Sequence, residues 1–363
     1  MDYNMKRGEN NSISDNQALA ILVGTMVGVS ITIAKAVAEK GKQGAWISTI
    51  IGAAYPLLLS LLAAYICNKH PEQDILALNE LYFGKWVGGI LNIIFFLRFP
   101  IFVVLTLSGF YKVISVYATP FLSPIKIYIA MLILIIFTHS RGFKTLARIN
   151  EISLIIIIVM TISLSIGLPK GNYLYLMPII DKNLAGIFKA VQDVVYYYSG
   201  IEIIFLIYPY MKNKESILKV SLRAVFITMA TNTFMVIMCI YYLGYKLVNM
   251  SLWPVLLMTE FNRIQVINTS RYIFLLLWSF VILKRTANEY YGCGHIIKYM
   301  FKLKSYNAFY IISLPVFLFS ALSIRTYAQR SSLIKLFYPA LAIINLIVIA
   351  LLALMIFIKN KNK

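Results

Sequence analysis

Long apolar runs separated by short basic connections dominate the pattern of this chain. A helix that crosses hydrocarbon needs about 20 mostly apolar residues. Runs of that kind cover 17–38, 45–67, 86–117, 123–138, 149–168, 184–210, 217–242, 264–291, 308–324 and 333–358. They predict an all-α integral membrane protein with about ten transmembrane helices. A cytoplasmic leader 1–16 precedes a single membrane domain over 17–358, and a basic tail 359–363 follows it. The third run exceeds a perpendicular crossing, which predicts a tilt or an extension beyond the bilayer. Segment 143–151 carries apolar residues at helical spacing beside Lys144 and Arg148, which predicts a short interfacial helix. Segment 252–261 is apolar but too short to span, as a re-entrant or outer-surface helix would be.

Composition agrees with the pattern. The 363 residues are 60% hydrophobic and only 13% charged, where a soluble domain keeps about 25% charged residues to cover its surface. Net charge is +20. The cations sit between apolar runs rather than on a folded polar face, so they read as topology determinants beside anionic lipid, and nucleic acid is not an expected partner. With the N-terminus inside, the inner connections hold about twice as many positive residues as the outer ones, which puts both termini in the cytoplasm. No cleavable signal precedes the first run, so that run is expected to stay as a span. Cys67, Cys239 and Cys293 lack metal-type or redox-type spacing. His70, His139 and His295 fall in or beside different loops, so neither a metal, a cofactor nor a catalytic site is expected.

Breaks in the apolar pattern carry the functional signal, because unpaired backbone groups in lipid cost several kcal/mol each. The first run contains Gly24, Thr25 and Gly28; the sixth contains Tyr198, Ser199, Gly200 and Glu202. Gly24 and Gly28 also form a small-xxx-small pair, which by itself means close helix packing. Interrupted first and sixth helices, five apart, are what two inverted five-helix repeats would show, with the unwound midpoints holding a ligand. Glu202 is an ionisable group deep in a span, and such groups are usually functional. Arg98 lies about 12 residues, or roughly 18 Å, beyond Trp86, out of snorkelling reach, so it needs a partner or a polar cavity. An ion pair with Glu202 is the structural alternative. Lys284 and Arg285 sit at the cytoplasmic end of the eighth helix if it starts at Ile264, and inside the span if it runs from Tyr272 through Tyr291.

The order of features resembles the spore germination receptor B-subunit family, a branch of the amino acid–polyamine–organocation permease superfamily. The matching pieces are Ile13-Ser14-Asp15-Asn16-Gln17, Gly24 to Gly28, Ala45-Trp46-Ile47, Gly84-Lys85-Trp86, Gly200-Ile201-Glu202, Pro209 with the basic Lys212–Lys214 stretch, Trp253-Pro254 and Trp278. The resemblance covers nearly the whole chain. It implies a ten-helix inverted-repeat fold like that of leucine transporters, with helices one and six broken. It also implies an inner spore membrane location and a complex with an A-type membrane subunit and a C-type lipoprotein. The chain departs from the family pattern at Ala34-Lys35, where Pro-Arg is common, and at Arg98 and Lys284, where relatives tend to be uncharged. Added cations favour an anionic or carboxylate-bearing ligand.

These readings lead to a germinant-sensing subunit that binds an amino-acid-like molecule at mid-membrane. The ammonium is expected near carbonyls of the first-helix break and Glu202, and the carboxylate near a half-helix N-terminus or Arg98. The expected ligand set is Gly24, Thr25, Gly28, Arg98, Phe102, Tyr198, Ser199, Gly200, Glu202 and Lys284. A secondary transporter for amino acids or polyamines is the alternative, since the same fold serves both. An enzyme is not expected.

Overall fold

A computed structural model describes residues 12–28, 30–178, 183–261 and 270–361. The leader up to residue 11, the opening of the eighth run (264–269) and the last two tail residues lie outside the described residues. Each of the ten apolar runs is mostly helical over its described part, the first and sixth being interrupted. The first run forms α1 (Asp15–Met26) and α2 (Ile33–Gly41), and the second α3 (Ala45–Gly52) and α4 (Ala54–Lys69). Then come α5 (Ile75–Tyr117), α6 (Pro124–Ser140) and α7 (Phe143–Ser163). The sixth run gives α8 (Leu184–Tyr198) and the short α9 (Ile204–Ile207), and the seventh gives α10 (Ile217–Met250). The chain closes with α11 (Pro254–Phe261), α12 (Arg271–Met300), α13 (Asn307–Ser323) and α14 (Tyr327–Lys361).

Local chemistry sets the helix ends. Ser14 and Gln17 form a capping box that starts α1: the Gln17 amide donates to Ser14 Oγ at 3.2 Å, and the Ser14 amide donates to Gln17 Oε1 at 3.1 Å. Asp74 caps α5 by accepting from the Ala77 amide at 3.1 Å. This cap starts α5 eleven residues before the apolar run, and the helix bends separately at Gly84, where φ is 79°. The segment 143–151, expected as a separate interfacial helix, is instead the first part of α7. Phe143, Leu146, Ala147, Asn150, Ser153, Ile157 and Met160 form one buried stripe, so no turn separates the two parts. The α11 segment is a short helix with Pro254, Val255, Leu256, Met258 and Thr259 buried against the bundle, so it does not lie flat on the outside.

Among the described residues five helical stretches are long and apolar enough to cross a bilayer on those grounds alone, α2 to α4 counting as one (Ser30–Lys69), or six if α8 and Ile201–Tyr210 count as one span bent by 44°. The other spans fall short for identifiable reasons. Helices α6 and α13 have 17 residues each, and α12 carries Lys284, Arg285 and Glu289 in its middle. The bundle is apolar on the outside, where Ile90, Ile155, Leu276, Ile311 and Phe319 are exposed. Inside it buries Arg98, Glu202, Lys284, Arg285, Asn288 and Glu289. That inversion of a soluble protein suits a lipid surround.

Helix α12 is the hub. It packs against α1, α5, α6 and α7, and it is buried all round from Lys284 to Gly294, which is why no amphipathic stripe marks it in sequence. Its backbone meets α5 closely at Gly292, where a Cβ would stand 2.3 Å from Phe99. The front of the first span is tied to the end of the sixth: the Ile13 amide donates to the Tyr210 carbonyl at 2.9 Å, and the Lys212 amide to that of Ile13 at 3.0 Å.

Candidate functional site

The two broken spans meet at their breaks. Helix α1 ends at Met26; Val27 is extended, Gly28 has φ 156°, and a 3-10 turn resumes at Ser30. Helix α8 ends at Tyr198; Ser199 is extended, Gly200 has φ 124° and ψ −20°, and a 3-10 turn covers Ile201–Ile203. Both glycines are required by space as well as by backbone angle. A Cβ on Gly200 would lie 2.7 Å from the Thr25 carbonyl oxygen, and one on Gly28 would lie 2.7 Å from Cδ of Arg285. Gly200 thus sits directly on the end of α1.

Each break frees carbonyls that lipid cannot satisfy. Side chains of α12 take them. Arg285 Nη1 donates to the Met26 carbonyl at 2.5 Å, and Nη2 donates to that of Ser199 at 3.3 Å. Trp278 Nε1 donates to the Gly28 carbonyl at 2.8 Å. The negative C-terminal ends of α1 and α8 therefore share one guanidinium. Glu202 is held as tightly: Oε2 accepts from the Gly200 amide at 2.7 Å, and Oε1 accepts from the Tyr55 hydroxyl at 2.7 Å. The acceptors expected to be open to a ligand ammonium are engaged by the protein's own donors.

Arg98 joins both acids. Its Nη2 lies 3.0 Å from Glu289 Oε1, its Nε 3.7 Å from Glu202 Oε1, and Nη2 also reaches Ser199 Oγ at 3.4 Å. Both alternatives raised by the sequence meet here, since Arg98 is paired and also faces a polar interior. Phe102 lies under the two guanidiniums, 5.3 Å from Arg98 Cζ and 4.4 Å from Arg285 Cζ. Thr25 accepts from Asn288 at 2.9 Å, and Asn288 exchanges hydrogen bonds with Asn150 at 2.8 and 2.9 Å, which extends the polar layer to α7.

Lys284 falls inside the span, with its Nζ against the open face of Gly24: a Cβ there would be 2.5 Å away. Tyr198 turns away from the breaks and donates to the Thr49 carbonyl at 2.7 Å. The other expected residues converge around Arg98 and the two breaks. Arg285 and Glu289 complete the group but are absent from the expected set. Their signal was present, because opposite charges four apart share a helix face and are costly inside a span. Tyr55, Asn150, Asn288 and Tyr338 had no such signal.

Three cations, Arg98, Lys284 and Arg285, face two acids, Glu202 and Glu289, leaving one positive charge in excess when all are ionised. Several of these buried atoms have no hydrogen-bond partner among the described residues: Arg98 Nη1, Arg285 Nε, Lys284 Nζ and Glu289 Oε2. Among the described residues no group of three His, Cys, Asp or Glu side chains is placed to hold a metal ion. A cavity of about 170 Å³ opens nearby between α2, α8 and α14. Tyr196 and Tyr338 line it and pack edge to face at 4.4 Å, and Phe102 meets Tyr338 at 4.8 Å. These three rings separate the cavity from the buried charges.

A family profile described as "Spore germination protein" matches residues 12–330. Spore germination protein GerQB of Bacillus cereus is 26% identical over 276 residues, covering 76% of each chain. Spore germination protein B2 of Bacillus subtilis (strain 168) is 24% identical over 238 residues, covering 63% of this chain and 61% of the relative. Among solved structures, MhsT in complex with L-phenylalanine superposes with a TM-score of 0.64 at 15% identity, over 94% of this chain and 87% of that one. Mhp1, a nucleobase-cation-symport-1 family transporter in a closed conformation with bromovinylhydantoin bound, gives a TM-score of 0.62 at 15% identity, over 89% and 74%. The fold is therefore that of the broken-helix transporters, five spans plus five, with helices one and six interrupted.

Proposed function

The chain belongs to the spore germination protein family, and on that premise we propose that it is the nutrient-sensing membrane subunit of a germinant receptor. Its ligand is an amino-acid-like molecule taken between the two breaks. The single observation that carries the reading is the set of buried, unpartnered groups beside them. Arg98 Nη1 and Arg285 Nε, without partners among the described residues, can receive a carboxylate, and Glu289 Oε2, likewise, an ammonium. The ammonium is assigned to Glu289 because Glu202 and the break carbonyls already have donors. An amino acid carries both ends, and the excess positive charge favours its carboxylate. L-phenylalanine bound to MhsT, of the same fold, is in keeping with this class.

Tyr196 and Tyr338 must part to admit the ligand from the cavity. Binding then favours the arrangement in which the free donors are satisfied, and unequal affinity for the two arrangements is what turns binding into a signal. In this reading the chain works in the inner spore membrane with an A-type membrane subunit and a C-type lipoprotein, both termini cytoplasmic.

The test is germination of spores lacking this chain against a panel of nutrients. Loss of response to one nutrient class, with the others intact, supports the sensor. The fold itself favours a second reading, a secondary transporter for amino acids or polyamines. Unchanged germination on every nutrient, together with concentrative uptake of an amino acid by proteoliposomes holding the purified chain, would establish the transporter instead.

Glu202→Gln is expected to shift the nutrient dose response about tenfold at normal protein level. The amide oxygen can still accept from the Gly200 amide, but its NH2 can only donate to Tyr55, so the Tyr55 proton loses its acceptor and Arg98 loses one of its two counter-charges; a lost buried hydrogen bond costs about 1–3 kcal/mol. The measurement is germination rate against nutrient concentration. An unchanged curve would remove Glu202 from the working part of the site.

A further inference from the structure

We propose that the cavity between α2, α8 and α14 is a separate outer site for small carboxylates, anchored by Arg330. The site goes beyond the nutrient reading, because carboxylate binding there stands whether or not the helix breaks take a ligand.

Arg330 lies in the first turns of α14 and lines the cavity, yet it is only 8% exposed. Its Nε donates to the Leu105 carbonyl at 3.0 Å, and Nη2 lies 3.4 Å from the Tyr196 hydroxyl. Its Nη1 makes no hydrogen bond, and no carboxylate pairs with it, among the described residues. A guanidinium that is nearly buried and lacks a counter-charge is costly, and such groups are normally paired. Here the cavity leaves space for an anion beside it.

The seat is built. Gly109 of α5 lets the guanidinium lie against the helix, since a Cβ there would stand 2.6 Å from Nη2 and 2.8 Å from Cζ. The planar fork is therefore held in place by α5 while α14 supplies it, and a fixed guanidinium suits two-point recognition of a carboxylate. Lys35 and Lys335 add positive charge to the walls. Of the two acids there, Asp193 is already paired with Lys40 at 2.6 Å. Glu39, exposed, is the other acid of the lining. A cavity of about 170 Å³ has room for a small carboxylate.

The experiment uses the full chain in detergent. Cys67, Cys239 and Cys293 are all buried, so Ser331→Cys places a reactive thiol in the cavity wall over a silent background. Rates of modification are measured with an anionic sulfonatoethyl and a cationic trimethylammonium-ethyl methanethiosulfonate, each normalised to its rate with free mercaptoethanol. The expected result is a preference of about tenfold for the anionic reagent, as a focused positive potential concentrates anions. Acetate should slow the labelling and ethylammonium should not. Both effects should disappear in Arg330→Gln; in Arg330→Lys, which keeps the charge but not the fork, the anionic preference should persist and the acetate protection should weaken. Gly109→Ala, which displaces the guanidinium without removing it, should weaken both. Should Ser331→Cys fail to fold, Ile334→Cys offers a second wall position. Equal rates for the two reagents, a cationic preference, or acetate protection that survives Arg330→Gln would overturn the proposal.

Discussion

Arg98→Leu is expected to abolish accumulation of folded protein, and neutralising both of its acidic partners in the same chain is expected to restore much of it. Arg98 is 2% exposed and lies between Glu289 at 3.0 Å and Glu202 at 3.7 Å. Removing one side of a buried ion pair leaves an uncompensated charge and costs about 3–5 kcal/mol, a large part of the stability of a typical protein. Leucine is close in apolar bulk, so charge rather than volume dominates. Glu202→Gln with Glu289→Gln on the Arg98→Leu background removes the two carboxylates left without Arg98, while Arg285 keeps the Met26 and Ser199 carbonyls as its acceptors, and the three changes should be strongly non-additive. Yield of monodisperse protein from membranes, with its thermal transition in detergent, measures this. Wild-type yield for Arg98→Leu alone would mean that the acids are already protonated, and the ion-pair account would fail.

Gly200→Ala is the second large effect. At φ 124° and ψ −20° an L side chain is strained by about 1–3 kcal/mol, and here the added carbon also meets the Thr25 carbonyl at 2.7 Å. That neighbour is backbone, at the end of α1, so relief requires the two breaks to move apart. The protein is expected to reach the membrane in reduced amount and to lose nutrient response entirely. The readout is germination normalised to the amount of the chain in spore membranes. Wild-type response per molecule would show that the contact between the breaks has no part in sensing.

The spans were legible because hydrocarbon imposes a length and an apolarity on every crossing. The interruptions were legible because Gly28 and Gly200 stand where a continuous span would place larger residues. Segment 143–151 misled because Lys144 and Arg148 look interfacial, while the buried stripe is polar where it passes through Asn150 and Ser153, and its continuity is therefore silent in a hydropathy reading. The charge of Arg285 was visible in the sequence, but what it binds was not. Its partners are the main-chain carbonyls of Met26 and Ser199, and a carbonyl has no letter in a sequence. Tyr338 and Arg330 come from α14, more than 130 residues beyond the sixth-run tyrosines they touch, and only the closed bundle brings them together.

One guanidinium holds the ends of both interrupted spans. The two five-span halves consequently share a rivet: neither can tilt at its hinge without exchanging a bond that the other also depends on. Charge-assisted bonds of this kind contribute about 1.5–3 kcal/mol each, enough to keep the halves in step at rest and weak enough to yield to a ligand. A carboxylate that draws Arg285 aside by an ångström loosens two carbonyls at once, one in each half. A displacement at a single side chain is thereby shared across the whole molecule.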